Sequence, residues 1–281
     1  MAAAKPDKSG EAAPAPGVAL LPLAIAIALT VLLTALGASV GSTGFDSVLR
    51  LADDPMAARI VWDIRLPRSL GAWLAGALLG LSGAVAQGLF RNPLAEPFLL
   101  GSASGASLGV AAALALFGAA PATAWLAKLG LTGAAFVGAV VAVLLTLQLA
   151  RGVQHTLRLL LAGVIVGVVL GAIKDLITLA SPDIIAAMQG FNLGSAGFIG
   201  WASCVLMAAA WCVCALAAWV FSRALDGLSL GEATAASLGL PLAPMRLALV
   251  AVLALATGTA VAQTGLIAFV GLAAPHLVRS M

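Results

Sequence analysis

The chain has 281 residues, of which 62% are hydrophobic and 9% are charged, with a formal net charge of +3. Soluble domains carry roughly 45–50% apolar and about 25% charged residues, so a water-soluble globule, a disordered chain and a basic nucleic-acid binder are excluded. There are 31 Gly and no Tyr, and the apolar character comes from Ala, Leu, Val and Gly, the palette of closely packed membrane helices.

Residues 1–17 are rich in Ala and Pro and are expected to form a disordered cytoplasmic tail. The apolar run over 18–40 has membrane-spanning length and is too long for a signal-peptide core of about 7–15 residues. A polar stretch over 41–68 follows, holding Arg50, Arg59, Arg65 and Arg68 among four Asp. The second span is expected over 69–89, ended by the turn Arg91-Asn92-Pro93-Leu94-Ala95-Glu96-Pro97, because two prolines cannot sit inside one continuing helix.

The third span is read over 98–117, the fourth over 129–150 and the fifth over 157–180, closed by Ser181-Pro182. Residues 184–198 predict a short surface helix and a turn, and the sixth span follows over 199–221. A polar segment over 222–246 precedes the seventh span, read over 247–270, with Pro275-His276 just beyond it. The fold class is therefore an all-α polytopic membrane protein with about seven transmembrane helices.

Gly101, Gly105 and Gly109 recur every four residues, as do Gly163, Gly167 and Gly171. That spacing puts each set on one helix face and predicts helix packing at close range. Cys204, Cys212 and Cys214 lie in one apolar stretch with no His or carboxylate nearby, so they read as packing residues, and no metal site is expected. The chain has no Gly-x-x-x-x-Gly-Lys-Ser/Thr loop and no His-Glu-x-x-His motif, which argues against nucleotide hydrolysis or covalent chemistry by this chain itself.

Lys and Arg are split almost evenly between alternate loops. Lys5, Lys8, Arg91, Arg151, Arg158, Arg223 and Arg246 fall on the N-terminal side, and Arg50, Arg59, Arg65, Arg68 and Lys128 on the other, with Arg279 a sixth candidate there, so charge alone leaves the orientation open. Arg65 and Arg68 can anchor a helix end by snorkelling or meet an acidic partner. Asn92, Gln87 and Glu96 can supply hydrogen bonds to non-helical backbone at the turn, as a structural turn or a gating hinge. Ser229 with Glu232 three residues on has the look of a helix cap, continued by Ala236 and closed by Gly239 and Pro241. Lys174 and Asp175 sit near the end of the fifth span as pathway candidates or structural residues, and as sequence neighbours they need not pair.

Five blocks in order resemble one family: Ile64–Arg68, Gly83–Pro97, Leu100–Ala106, Leu228–Leu240 and Gly265–His276. They are similar to the FecCD/BtuC-like permease subunit of type II ABC importers, which take up iron-siderophores, heme and cobalamin. The resemblance covers residues 18–281, with Ala268 standing where relatives usually have Gly. It implies a BtuC-like helical bundle of about ten helices, of which about seven are read here, so the C-terminal helices are expected to be missing and the chain to be a fragment or shortened form.

The resemblance further implies an inner-membrane location with the N-terminus in the cytoplasm and a homodimer with a second copy. Two ABC ATPase subunits would hold ATP and Mg, and a periplasmic substrate-binding protein would dock on the other side, with no cofactor bound by this chain. It makes Arg65 and Arg68 docking residues for the binding protein. Ser229, Leu230, Gly231, Glu232, Ala236, Leu238 and Gly239 become the ATPase-coupling segment within 222–246. Gln87, Asn92, Pro93, Glu96, Pro97, Pro275 and His276 become the structural or gating motif. The leading expectation is import of an iron chelate, as a siderophore complex or heme; the alternatives are cobalamin, or an ion-coupled secondary transporter, for which the midplane carboxylates are lacking.

Overall fold

The computed structural model describes residues 16–41, 54–118, 125–150, 156–229, 231–237 and 239–280. Its elements are helices: α1 (Pro16–Ser39), α2 (Pro55–Phe90), α3 (Ser102–Phe117), α4 (Trp125–Leu149), α5 (Thr156–Ala180), α6 (Ile185–Leu193), α7 (Trp201–Val220), α8 (Ser222–Ser229), α9 (Glu232–Ser237), α10 (Leu242–Thr264) and α11 (Val270–Ser280). Five of them, α2, α5, α7, α10 and the Gly130–Leu149 part of α4, are long and apolar enough to cross a membrane. The shorter apolar stretches of α1 and α3 complete the set read from sequence. Residues 1–15 of the expected tail lie outside the described residues, and Pro16 already opens α1.

Three boundaries differ from expectation. The second span does not begin at Ser69. Its helix starts at Pro55, where Asp54 Oδ1 accepts the Met56 N–H at 2.8 Å and Pro occupies a first-turn position that needs no donor. Residues Ile60–Arg65 form a π turn, with the Leu66 N–H reaching Val61 O. It lies directly before Pro67, which has no N–H to offer the preceding turn. Of the polar residues read as a loop, Arg59, Asp63, Arg65 and Arg68 therefore ride on a helical extension, while residues 42–53 lie outside the described residues.

The third span also opens differently. Residues Pro97–Leu100 form a 3-10 turn and Gly101, at φ +76, caps α3 from outside it. The seventh helix runs from Leu242 to Thr264, five residues earlier than expected, and encloses Arg246, which is buried.

α2 and α10 form the centre. α2 packs against α1, α7, α10 and α11, and α10 also against α4 and α7. Two thirds of the most apolar window of α10 is buried (67%), against 17% of that of α7, so α10 is a core helix and α7 a peripheral one. Leu78, Leu79 and Leu89 of α2 and Leu249 and Leu253 of α10 are fully enclosed. Among apolar helices in lipid the gain from such contacts is close packing rather than escape from water.

Glycine sets the closest approach. A Cβ at Gly105 or Gly138 would enter the other residue's backbone carbonyl, and one at Gly109 would enter the Ala134 carbonyl. α3 and α4 thus meet backbone to backbone. Gly163 does the same against the Leu99 carbonyl, and Gly101 lies against Gly163 and Gly167. Gly171, read as the third member of that stripe, meets nothing within 4 Å.

Side chains fasten the outer helices. The Cys204 thiol donates to Pro67 O at 3.2 Å and the Cys214 thiol to Val252 O at 3.7 Å, tying α7 to α2 and α10, while Cys212 is exposed. Trp201 Nε1 donates to Trp62 O at 3.1 Å with the rings 5.3 Å apart, and Trp73 Nε1 donates to Thr30 Oγ1 at 3.3 Å.

The glycine geometry makes a direct prediction. Gly138→Ala should destabilise the protein by about 1–3 kcal/mol, because its Cβ has only backbone to push against. Gly171→Ala should be neutral or stabilising by up to about 1 kcal/mol through helix propensity. Thermal unfolding of the purified protein in detergent reads both.

Candidate functional site

Helix α2 ends in a Schellman arrangement. The Asn92 N–H donates to Gln87 O at 3.1 Å and the Arg91 N–H to Gly88 O at 3.3 Å, with Arg91 itself at φ +49. Asn92 Oδ1 then accepts the Leu94 N–H at 2.9 Å, and the Ala95 N–H returns to Asn92 O at 3.0 Å. Pro93 sits inside this turn and Pro97 opens the 3-10 turn that follows. Asn92 thus holds the turn as read from sequence, while Gln87 and Glu96 reach elsewhere.

Both reach the second break in the bundle, residues 265–269 between α10 and α11. There the chain leaves helix at Gly265, φ +73, and turns at Phe269, φ +68, a non-glycine residue in the left-handed region. Its backbone groups are met from three directions. The end of α6 supplies Phe191 O, which accepts the Leu266 N–H at 3.0 Å, and the Ser195 N–H, which donates to Thr264 O at 2.6 Å. Glu96 Oε1 accepts the Phe269 N–H at 3.3 Å. Gln87, buried in α2, donates Nε2 to Leu272 O at 3.1 Å and accepts Arg279 Nη1 on its Oε1 at 2.8 Å.

Packing closes the same junction. A Cβ at Gly83 would enter the Gly271 carbonyl, and one at Gly271 would strike Pro97 Cγ. Three sequence blocks separated by up to 192 positions thus meet at one point. Pro275 is buried within α11 and His276 is exposed beside it. Phe269 and Arg279 were not singled out in the sequence; the paired glycines Gly265 and Gly271 were the available signal of a break.

Arg65 is buried, and its Nη1 donates to Ser39 O at 3.0 Å, satisfying a terminal carbonyl of α1. That places it between α1 and α2. Arg68, three residues on, is exposed, as are Arg59 and Asp63. Lys174 and Asp175 do pair, with Nζ to Oδ1 at 2.6 Å, despite being sequence neighbours. Thr178 Oγ1 donates to Lys174 O at 2.8 Å.

The polar segment after α7 folds into α8 and α9. Ser229 is the last residue of α8 rather than the cap of α9, because the chain turns at Gly231, φ +110, before Glu232 begins α9. Gly239, φ +76, ends α9. Leu228 and Ala235 are buried and Ala236, Ser237 and Gly239 are exposed. A Cβ at Gly88 would lie 3.0 Å from Leu225, so α8 rests on the end of α2. Leu230 and Leu238 lie outside the described residues. Among the described residues no three His, Cys, Asp or Glu side chains gather to hold a metal.

The chain matches the FecCD transport family over residues 23–281. It is 40% identical over 228 residues to the vitamin B12 import system permease protein BtuC of Escherichia coli O157:H7, covering 80% of this chain and 68% of that protein. The same figures hold for BtuC of Escherichia coli O6:H1. Its fold is similar to a solved candidate metal-chelate type ABC transporter in an inward-facing conformation, with TM-score 0.81 at 26% identity, covering 94% of this chain and 82% of that one.

Gln87→Leu should destabilise the protein by about 1–3 kcal/mol, since it leaves Leu272 O and Arg279 without their partner. Glu96→Gln should stay close to wild type because the amide oxygen still accepts the Phe269 N–H. Thermal unfolding of the two variants side by side checks the contrast.

Proposed function

The chain belongs to the FecCD transport family, and on that premise we propose that it is the permease subunit of an ATP-driven importer that moves a metal chelate across the bacterial inner membrane by alternating access. The observation that carries this reading is the match over residues 23–281 together with 40% identity to vitamin B12 permeases. Cobalamin is the cargo those relatives favour. An iron chelate, as a siderophore complex or heme, is the second reading, supported by the metal-chelate type of the solved neighbour.

In this reading the N-terminus is cytoplasmic, two copies enclose the pathway, and two ATPase subunits holding ATP and Mg engage α8 and α9. Leu228 and Ala235 anchor that segment to the bundle, and the exposed Ala236 and Gly239 are left for the partner. Glu232, the first residue of α9, is the proposed charged contact. A periplasmic binding protein meets the opposite end, where Arg68 carries the charge and Arg65 supports it from beneath by holding α1. A ligand that favours one arrangement of the bundle shifts the population towards it. The break at 265–269, held by hydrogen bonds from other elements rather than by a continuous helix, is the proposed hinge.

Uptake into proteoliposomes containing the permease, its ATPase and its binding protein tests cargo, with cobalamin, a ferric siderophore and heme compared directly. Transport of none of them overturns the reading. Glu232→Ala should lower substrate-stimulated ATP hydrolysis while the complex still assembles. Arg68→Glu should weaken binding-protein docking, measured by surface plasmon resonance on the reconstituted complex, and leave membrane insertion intact.

A further inference from the structure

Between Leu159 and Ser222 the sequence carries three charged residues, Lys174, Asp175 and Asp183. Lys174 and Asp175 lie in α5, and Asp183 follows in the turn before α6. Asp175 stands five residues before Ala180, the end of α5, about 7.5 Å short of it along the helix axis.

The pair is lopsided. Lys174 Nζ meets Asp175 Oδ1 at 2.6 Å, yet the lysine side chain is 19% exposed and the aspartate 71%. The ammonium is tucked against the bundle, and the carboxylate stands on the outer surface of α5, in register with Val168 and close to one turn above Ala172. The rest of that face, with Leu161, Ile165, Val168, Ala172 and Leu179, is apolar and exposed in a single copy. Asp is too short to snorkel from that depth, and an ionisable group within a span turns to the bundle interior or to a water-filled cavity. Where two copies enclose a pathway, this face of α5 fits its wall. An apolar wall focuses the field of a fixed charge.

We propose that Asp175, positioned by Lys174, faces the water-filled outer mouth of the pathway and makes this permease discriminate against anionic cargo. The proposal rests on the importer reading and on its second copy. Each copy brings one such carboxylate to the mouth, with the exposed Asp183 beyond it. Specificity of this kind works by repulsion: a neutral or cationic chelate meets no penalty, and a chelate with free carboxylates is held off.

The test uses the assembled permease and ATPase in liposomes, in a Cys212→Ser background that removes the exposed native thiol. Ala172→Cys then reports the charge beside Asp175, through its reaction rates with a cationic and an anionic water-soluble methanethiosulfonate. Both reagents should react, and Asp175→Asn should lower the cation-to-anion rate ratio about fivefold, the effect of one charge roughly 8 Å away in water. Exchanging the pair, Lys174→Asp with Asp175→Lys, keeps an ion pair but turns the ammonium outward. It should reverse the preference, whereas a purely structural pair would leave the ratio at its wild-type value. With the binding protein added, uptake of cobalamin is compared with that of a cobalamin monocarboxylate, in which one side-chain amide is hydrolysed. Asp175→Asn should raise the anionic form relative to the neutral one by a similar factor.

A rate ratio unmoved by Asp175→Asn and by the exchange overturns the proposal. So does a thiol at position 172 that neither reagent reaches, which would give this face to lipid or to direct contact between copies. An unmoved uptake ratio beside a shifted rate ratio overturns it too, by placing Asp175 off the cargo's path. Uptake of neither cobalamin by wild type counts against the importer reading for this cargo, and the rate ratio still decides the charge at the mouth.

Discussion

A helix that breaks inside an apolar bundle strands amides and carbonyls where no water can reach them. The fold around residues 265–269 is organised by that constraint. Phe191 O, the Ser195 N–H, Glu96 and Gln87 come from three separate elements, and each meets one backbone group of α10, α11 or the link between them. The same logic acts at the 3-10 turn before α3, where Thr146 Oγ1 of α4 donates to Leu100 O at 3.0 Å. The helices surrounding each break are therefore positioned by what the break lacks.

These bonds also hold the break together as a two-part device. Gln87 links α2 to both ends of α11, at Leu272 and Arg279, while Glu96 links the turn after α2 to Phe269. Gly83, Gly271 and Pro97 bring the backbones close enough for both side chains to reach. A change in the tilt of α11 must alter all of these together, which is how a junction built of few contacts can have discrete arrangements rather than a continuum.

The spans were legible because hydropathy is a sum over some twenty residues, and neither one charge nor one glycine hides it. What was illegible was local. Arg246 reads as loop because a lone charge is expected outside a span, yet it is enclosed in α10. Arg59 and Asp63 read as loop too, whereas an Asp54 cap and a π turn carry them on a helix. The turn at Asn92 could be foreseen, since Asn and Pro encode turns within a few residues. The partners of Gln87 and Glu96 could not, because they lie 173 to 192 positions away and no local pattern specifies them. Arg65 shows the same limit: a family resemblance names a residue type at a position, but only the packed structure reveals that its guanidinium is engaged by the end of α1.

At the glycines where α3 and α4 meet, backbone touches backbone, with Val110, Leu114, Ala135 and Ala139 packed around the contact. Side-chain rotamers are the usual lubricant by which packed helices slide, and at these glycines there are none. The two helices are mechanically one plank, so a push at either is delivered to the other without loss. α7, with 17% of its most apolar window buried, is the more loosely held helix, tied to α2 and α10 by its packing, two thiols and two indoles.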